Sequence, residues 1–217
     1  MHIMEGFLPA EWCAAWYTFS IPVVVYGAWI VRKRIDANPG AKSLLAVAAG
    51  FVFVLSALKL PSVTGSCSHP TGTGVAVVLF GPAATAFISV IVLFYQALLL
   101  AHGGLTTLGA NTASMGIIGP FAGWLVYKAI RRFGLKTAVF AAAAVADWVT
   151  YVVTSFQLAL AFPANPSLAG VIESTMKFMA IFAVTQIPLA LMEGVVAALL
   201  VSYLVEVRED VAEVVAA

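Results

Sequence analysis

Charged side chains are scarce in this sequence. Only 10% of its 217 residues are Asp, Glu, Lys or Arg, whereas 62% are hydrophobic and the mean hydropathy is +1.02. A soluble domain is about 45–50% apolar, so the composition excludes an ordinary soluble protein. The net charge is +1 and the basic residues are grouped at segment ends, which provides no basic face for nucleic acid. The composition therefore indicates an integral membrane protein.

Common nucleotide-binding and catalytic motifs are also missing. The sequence has no G-x-x-x-x-G-K-[ST] loop with which to bind the phosphates of ATP. It has neither H-E-x-x-H nor G-x-S-x-G, so a zinc protease or a serine hydrolase has no support. If the chain takes part in active transport, we expect other proteins to hydrolyse the ATP.

Apolar stretches predict seven membrane segments with the N-terminus outside and the C-terminus inside. The first segment ends at three basic residues, 32–34, which mark the cytoplasmic side. We divide the stretch 75–101 because Gly81 and Pro82 interrupt it, and because one continuous span would place Arg131 outside. The predicted segments are residues 12–31, 44–58, 75–80, 83–101, 112–130, 137–162 and 168–205. Residues 1–217 are thus expected to form one all-α, multi-pass domain in the cell inner (plasma) membrane.

All three histidines of the sequence face outward in this topology. They lie in the N-terminal segment 1–11 (His2), in the outer loop 61–74 (His69) and in the outer loop 102–111 (His102). A terminal amine, the next backbone nitrogen and that residue's imidazole can form two adjacent chelate rings around one ion, and Met1 and His2 supply these three donors. His69 is the best candidate for a fourth nitrogen. Four nitrogens in a plane suit Ni²⁺ or Cu²⁺, and low-spin Co²⁺.

Other polar residues of the outer side allow several roles. His102 is either a further ligand or a group that orients one. Glu5 steers cations, seals the N-terminal loop or is a solvated charge. Ser68 and Asn111 are candidates for an additional ligand or a hydrogen-bonding neighbour of one. The two cysteines, Cys13 and Cys67, could bind metal or form a disulfide, but small thiols are ordinary fillers of helices and loops, and we expect that role.

Charges are costly inside a membrane, and Asp147, Glu173, Lys177 and Glu193 fall within the predicted spans. Lys177 follows Glu173 by one helical turn, so we expect the two to form an ion pair. We expect Asp147 to form a hydrogen bond with Tyr151 or Gln157. A structural role is favoured over transport for each of the four.

Three segments of the sequence resemble one family. Residues 1–9 read MHIMEGFLP, residues 61–72 read PSVTGSCSHPTG, and residues 96–111 read QALLLAHGGLTTLGAN. They resemble the M-type substrate-binding (S) subunits of cobalt and nickel energy-coupling factor (ECF) transporters, the CbiM/NikM family. The resemblance covers nearly the whole chain.

The resemblance implies a metal-binding subunit of an ATP-driven importer for Ni²⁺ or Co²⁺, built as an ECF S-component core with an extra N-terminal helix. It implies that the Met1 amine, His2 and His69 are the ligands, with His102 close by. It also implies partners: a transmembrane coupling (T) subunit, cytoplasmic ATPase subunits and a small accessory membrane subunit. The cysteine-containing motif is more typical of cobalt members that feed cobalamin synthesis.

Two functions from other classes stay open at this point. An intramembrane enzyme with a histidine-bound metal needs an open coordination position and a nearby general base. A stand-alone metal permease needs a continuous polar path, whereas segments such as 75–80 and 138–145 are apolar.

Overall fold

A computed structural model of the chain describes residues 1–61, 66–209 and 211. Part of the predicted outer loop, residues 62–65, lies outside the described residues, as do residue 210 and residues 212–217 at the end of the chain. The described part is mostly helical. Its α-helices are α1 (Ala10–Ala37), α2 (Ala41–Ala57), α3 (Thr73–Leu100), α4 (Leu108–Asn111), α5 (Gly119–Ile130), α6 (Leu135–Ala161) and α7 (Leu168–Val207).

Five helical segments of the described part are long and apolar enough to cross a membrane. They are α1, α3, the continuous segment Leu108–Phe133, α6 and α7. The segment Leu108–Phe133 joins α4 to α5 through a π-helix, Thr112–Ile118, and ends in a 3₁₀ turn. A further apolar helix, α2, has 17 residues. The protein is therefore a multi-pass membrane protein, while the count of seven segments and the side of each terminus stay predictions.

The chain reverses direction inside α3. Gly81 has φ 74° and ψ 172°, a conformation that glycine adopts without a Cβ clash, and Pro82 follows it. α3 begins shortly after His69 and ends shortly before His102, and the rings of these two histidines are 4.9 Å apart. Gly81, in contrast, lines a cavity together with Arg131 and the end of α1. The break predicted at this position is confirmed, and the two ends of α3 lie at the same end of the bundle.

The predicted helical fold is confirmed in its main part, but a small sheet, which the sequence analysis did not predict, lies at the end of the bundle that carries the histidines. Its strands are β1 (His2–Ile3), β2 (Leu60–Pro61) and β3 (Ser66–Ser68), in the antiparallel order β1-β3-β2. β1 and β3 pair with His2 opposite Cys67. Strands of two or three residues are too short to show an alternating pattern, so the sequence could not reveal them.

Helix α6 packs between α5 and α7. Small side chains allow the close approach, since a Cβ at Gly74 or Gly123 would collide with the Ala142–Ala143 segment of α6. α7 has 40 residues and is about 60 Å long, twice the thickness of a bilayer core of about 30 Å. On its surface the Lys177 ammonium lies 2.6 Å from a Glu173 carboxylate oxygen, which confirms the predicted ion pair.

Candidate metal centre

The structure brings the three predicted histidines together in one buried cluster. His2 and His69 are 0% exposed and His102 is 2% exposed. The His2 ring lies 4.3 Å from each of the other two ring centroids. The Nδ1 of His2 and the Nε2 of His69 face each other directly. A single ion between them would be bound by both rings.

Cys67, for which the sequence favoured a filler role over metal binding, belongs to the same cluster. Its Sγ lies 2.9 Å from the Nε2 of His102. One donor atom each from His2, Cys67, His69 and His102 can be chosen so that all four lie within 4.8 Å of one another. Metal–nitrogen bonds are about 2.0 Å and metal–sulfur bonds about 2.3 Å, so this spacing suits one shared ion. The register of Cys67 opposite His2 in the sheet places its thiol beside the rings, a position that the filler role expected from the sequence does not account for.

The N-terminus is buried beside the histidines. Met1 is 0% exposed and packs in an apolar cluster with Ile3, Leu8 and Phe182. Burial lowers the pKa of the Met1 α-amine, which favours its neutral form. Burial also lowers the pKa of His2 well below its ordinary value, and the neighbouring imidazoles contribute to the shift. A metal ion needs unprotonated nitrogen, so the apolar surroundings favour the form of these groups that can bind one.

The other two imidazoles are kept neutral in the same way. Burial lowers the pKa of His69 well below its ordinary value and that of His102 to about 3. The Nδ1–H of His69 donates to the Pro70 carbonyl oxygen at 2.7 Å, which leaves a lone pair on the Nε2 that faces His2. The backbone thus fixes both the tautomer and the direction of the ring.

A hydrogen-bonded pair of side chains on α6 and α7 supports the backbone at His69. The Nε2 of Gln186 donates to the His69 carbonyl oxygen at 3.0 Å and also to the Asp147 carboxylate. The prediction that Asp147 bonds with Tyr151 or Gln157 is wrong, because one carboxylate oxygen of Asp147 accepts from Gln186 and the other has no partner among the described residues, while the Gln157 amide donates to a backbone oxygen of α4. Gln186 is uncharged and belongs to no recognised motif, so the sequence did not indicate its contacts with His69 and Asp147.

Glu193 of α7 binds the segment between His69 and α3. Its carboxylate accepts the backbone N–H of Thr71, the Thr71 hydroxyl at 2.9 Å and the backbone N–H of Gly72 at 2.9 Å. A carboxylate at the start of a helix satisfies free N–H groups and interacts favourably with the helix dipole. The structure therefore supplies a structural role for this buried charge.

Asn111 clamps the N-terminal strand. Its Oδ1 accepts the Ile3 N–H at 2.8 Å and its Nδ2 donates to the Ile3 carbonyl oxygen at 3.0 Å. The Thr107 hydroxyl donates to the same carbonyl oxygen at 2.8 Å. Both ends of the Asn111 amide are therefore engaged with backbone, and its contacts hold β1 in place beside the histidines.

Replacing Asn111 by Ala is expected to weaken metal binding by about 10- to 100-fold, the usual cost of removing a group that orients a ligand. The loss of both hydrogen bonds to Ile3 lets His2 move relative to His69. Calorimetric titration of the purified protein measures the change. Asn38→Ala is the matched control, since Asn38 lies at the far end of α1 and its Oδ1 accepts only a local N–H from Gly40. Equal affinities for the two variants would contradict the role given to Asn111.

The two remaining candidates lie at the edge of the cluster. Glu5 is exposed and its carboxylate accepts from the Thr106 N–H at 3.1 Å and from the Thr106 hydroxyl, which lowers the pKa of Glu5. Of its three predicted roles, these contacts fit the seal between the N-terminal segment and the outer loop. Ser68 shares a 2.8 Å hydrogen bond with the Thr185 hydroxyl and so ties β3 to α7.

Long apolar helices around a buried set of nitrogen and sulfur donors define a multi-pass membrane protein with a candidate site for a metal ion. The sequence matches the CbiM family, described as the cobalt uptake substrate-specific transmembrane region, over residues 2–211, and the chain belongs to this family. The resemblance noted in the three sequence motifs is confirmed. The chain is therefore a membrane subunit for metal uptake.

Individual relatives support the assignment. The chain is 68% identical to a putative cobalt transport protein CbiM of Archaeoglobus fulgidus over 217 residues, which cover 100% of both chains. It is 58% identical over 212 residues to a protein of the same description from Halobacterium salinarum, covering 97% of this chain and 96% of that one. A crystal structure of a transition metal transporter is similar with a TM-score of 0.82 and 26% identity, covering 96% of this chain and 94% of that chain.

Proposed function

We propose that this chain is the substrate-binding subunit of an ATP-driven ECF importer for Co²⁺ or Ni²⁺. It holds one ion through the Met1 amine, the backbone and Nδ1 nitrogens of His2, and the Nε2 of His69. The observation that carries the proposal is the direct opposition of the His2 and His69 nitrogens beside a buried N-terminus. The family description and the names of the relatives favour cobalt as the cargo.

The donor set explains why a late transition metal is bound. The amine and backbone nitrogens of a terminal dipeptide form a five-membered ring with the ion, and the backbone nitrogen and Nδ1 of His2 form a six-membered ring. His69 supplies the fourth corner of a plane. Tetragonal nitrogen sites favour late metals, whereas zinc prefers a tetrahedron and Mg²⁺ prefers six oxygens.

The chain binds the ion and other subunits supply the energy. We expect a T subunit, cytoplasmic ATPase subunits and a small accessory membrane subunit to complete the importer. The N-terminus and the histidine-bearing loops face outward in this assembly and the C-terminus faces the cytoplasm. Vesicles that contain all subunits should accumulate Co²⁺ only with ATP. Accumulation by this chain alone would instead support the stand-alone permease.

The coordination is tested by titrating the purified protein with Ni²⁺ and Co²⁺ while recording absorption and magnetic measurements. We expect one ion per chain, and diamagnetic Ni²⁺ with the visible band of a planar complex. A paramagnetic, weakly coloured six-coordinate Ni²⁺ would contradict the planar nitrogen set.

Metal affinity is expected to fall on acidification. Burial lowers the pKa values of the Met1 amine, His2 and His69, which favours their neutral forms, and the ion also has to displace the backbone N–H proton of His2. Protons compete with the ion, so affinity rises with pH, by about tenfold per pH unit for one released proton. Calorimetry in buffers of different ionisation enthalpy counts the protons. A pH-independent affinity between pH 6 and about 8 would rule out the backbone nitrogen as a ligand.

A further inference from the structure

Two side chains of the cluster take no part in the planar nitrogen set. Cys67 is 6% exposed and His102 is 2% exposed, and the Cys67 Sγ lies 2.9 Å from the His102 Nε2. The His102 ring lies 4.3 Å from the His2 ring and 4.9 Å from the His69 ring. The sulfur is thus held within reach of an ion bound between His2 and His69.

The hydrogen bonding of His102 fits a sulfur atom that carries negative charge. The His102 Nδ1 is buried and has no hydrogen-bond partner among the described residues. A buried lone pair without a partner costs less than a buried N–H without one, which favours the tautomer with its proton on Nε2. That N–H points at the Cys67 Sγ and can donate to a thiolate.

We propose that Cys67 is an axial sulfur ligand of the bound ion and makes the site prefer Co²⁺ to Ni²⁺. The proposal rests on the proposed function, because it requires the planar nitrogen set. When the metal–sulfur bond forms, the thiol proton leaves to solvent, as ligand protons do on metal binding. The Nε2–H of His102 then stabilises the thiolate.

The preference for cobalt follows from the d electrons. In low-spin planar Ni²⁺, which is d⁸, the orbital along the axis is filled and repels an axial ligand. In low-spin Co²⁺, which is d⁷, the same orbital holds one electron and accepts a single axial donor. A thiolate is also a soft ligand that suits late metals. One axial sulfur therefore stabilises the cobalt complex and leaves the nickel complex nearly unchanged.

The first test uses the unmodified protein loaded with Co²⁺. A cobalt–thiolate bond gives an intense charge-transfer absorption in the near ultraviolet, which nitrogen ligands alone do not give. We expect this band at one equivalent of Co²⁺. A protein that binds one Co²⁺ without the band would overturn the proposal, while a protein that binds no ion would instead overturn the proposed function.

Variants of Cys67 show whether its sulfur gives rise to the band and how much the sulfur contributes to the preference for Co²⁺ over Ni²⁺. We expect Cys67→Ser and Cys67→Ala to lose the band, to keep one ion per chain, and to bind Co²⁺ at least about tenfold more weakly while Ni²⁺ affinity changes less than about threefold. Cys13→Ser is the matched control, since the Cys13 thiol donates to the Leu8 carbonyl oxygen, and it should retain the band.

The results distinguish a failure of the axial role of Cys67 from a failure of the planar nitrogen set. An unchanged ratio of Co²⁺ to Ni²⁺ affinity in both Cys67 variants, or loss of the band in Cys13→Ser, would refute the axial role of Cys67. If His69→Ala retains full affinity for Ni²⁺, the planar set itself is wrong, whatever the spectrum of the Cys67 variants.

Discussion

One extra residue before Met1 is expected to abolish high-affinity metal binding, with a loss of more than about 100-fold. The addition converts the terminal amine into an ordinary amide and moves the new amine one residue away from His2. Met1 is 0% exposed, so the added group also has to enter a closed apolar pocket. The added residue lies outside the helices, since α1 begins only at Ala10, and we expect the helical fold to be retained. Calorimetric titration with Ni²⁺ and Co²⁺ measures the loss, and circular dichroism checks the fold.

A control separates the chemical effect from general disturbance. The same residue added at the C-terminal end lengthens the chain equally and should leave the affinity unchanged. Acetylation of the Met1 amine is a second way to remove the donor with little added volume. If the N-terminally extended protein binds Ni²⁺ as tightly as the original, the terminal chelate is wrong.

The membrane helices and the break inside α3 could be predicted because short stretches of sequence are enough to indicate them. Membrane helices show as long apolar runs, and the reversal inside α3 shows because a positive φ requires Gly81 and because Pro82 lacks an N–H. The grouping of His2, His69 and His102 followed from topology alone, since basic segment ends fixed which loops share a side. Knowing that two loops lie on the same side of the membrane does not, however, give the distance between their side chains.

The rest of the site depends on contacts between distant segments. The thiol of Cys67 reaches the rings because β1 and β3 pair in one register, and a shift by one residue would turn the thiol to the other face. Gln186 reaches the His69 loop because α7 packs against α6. Neither residue differs locally from an ordinary filler of a helix or a loop, so only the folded arrangement shows what each contacts.

Replacing His69 by Ala is expected to reduce metal affinity by more than about 100-fold and to leave the protein empty after purification. The change removes the fourth nitrogen of the plane. The loop itself should stay in place, because Gln186 binds the backbone oxygen of residue 69 and Glu193 binds the backbone at Thr71 and Gly72. Elemental analysis of the purified protein and titration with Ni²⁺ provide the measurement.

His102→Ala is the matched control for this prediction, because it removes an equally buried imidazole from the same cluster. The planar set does not include His102, so Ni²⁺ affinity should fall by less than about tenfold. Co²⁺ affinity should fall further, because the Cys67 thiolate loses its hydrogen-bond donor. If His102→Ala instead lost Ni²⁺ and His69→Ala kept it, the fourth nitrogen would belong to His102. The opposition of the His2 and His69 nitrogens argues against that exchange, since the His102 nitrogen nearest a partner faces sulfur.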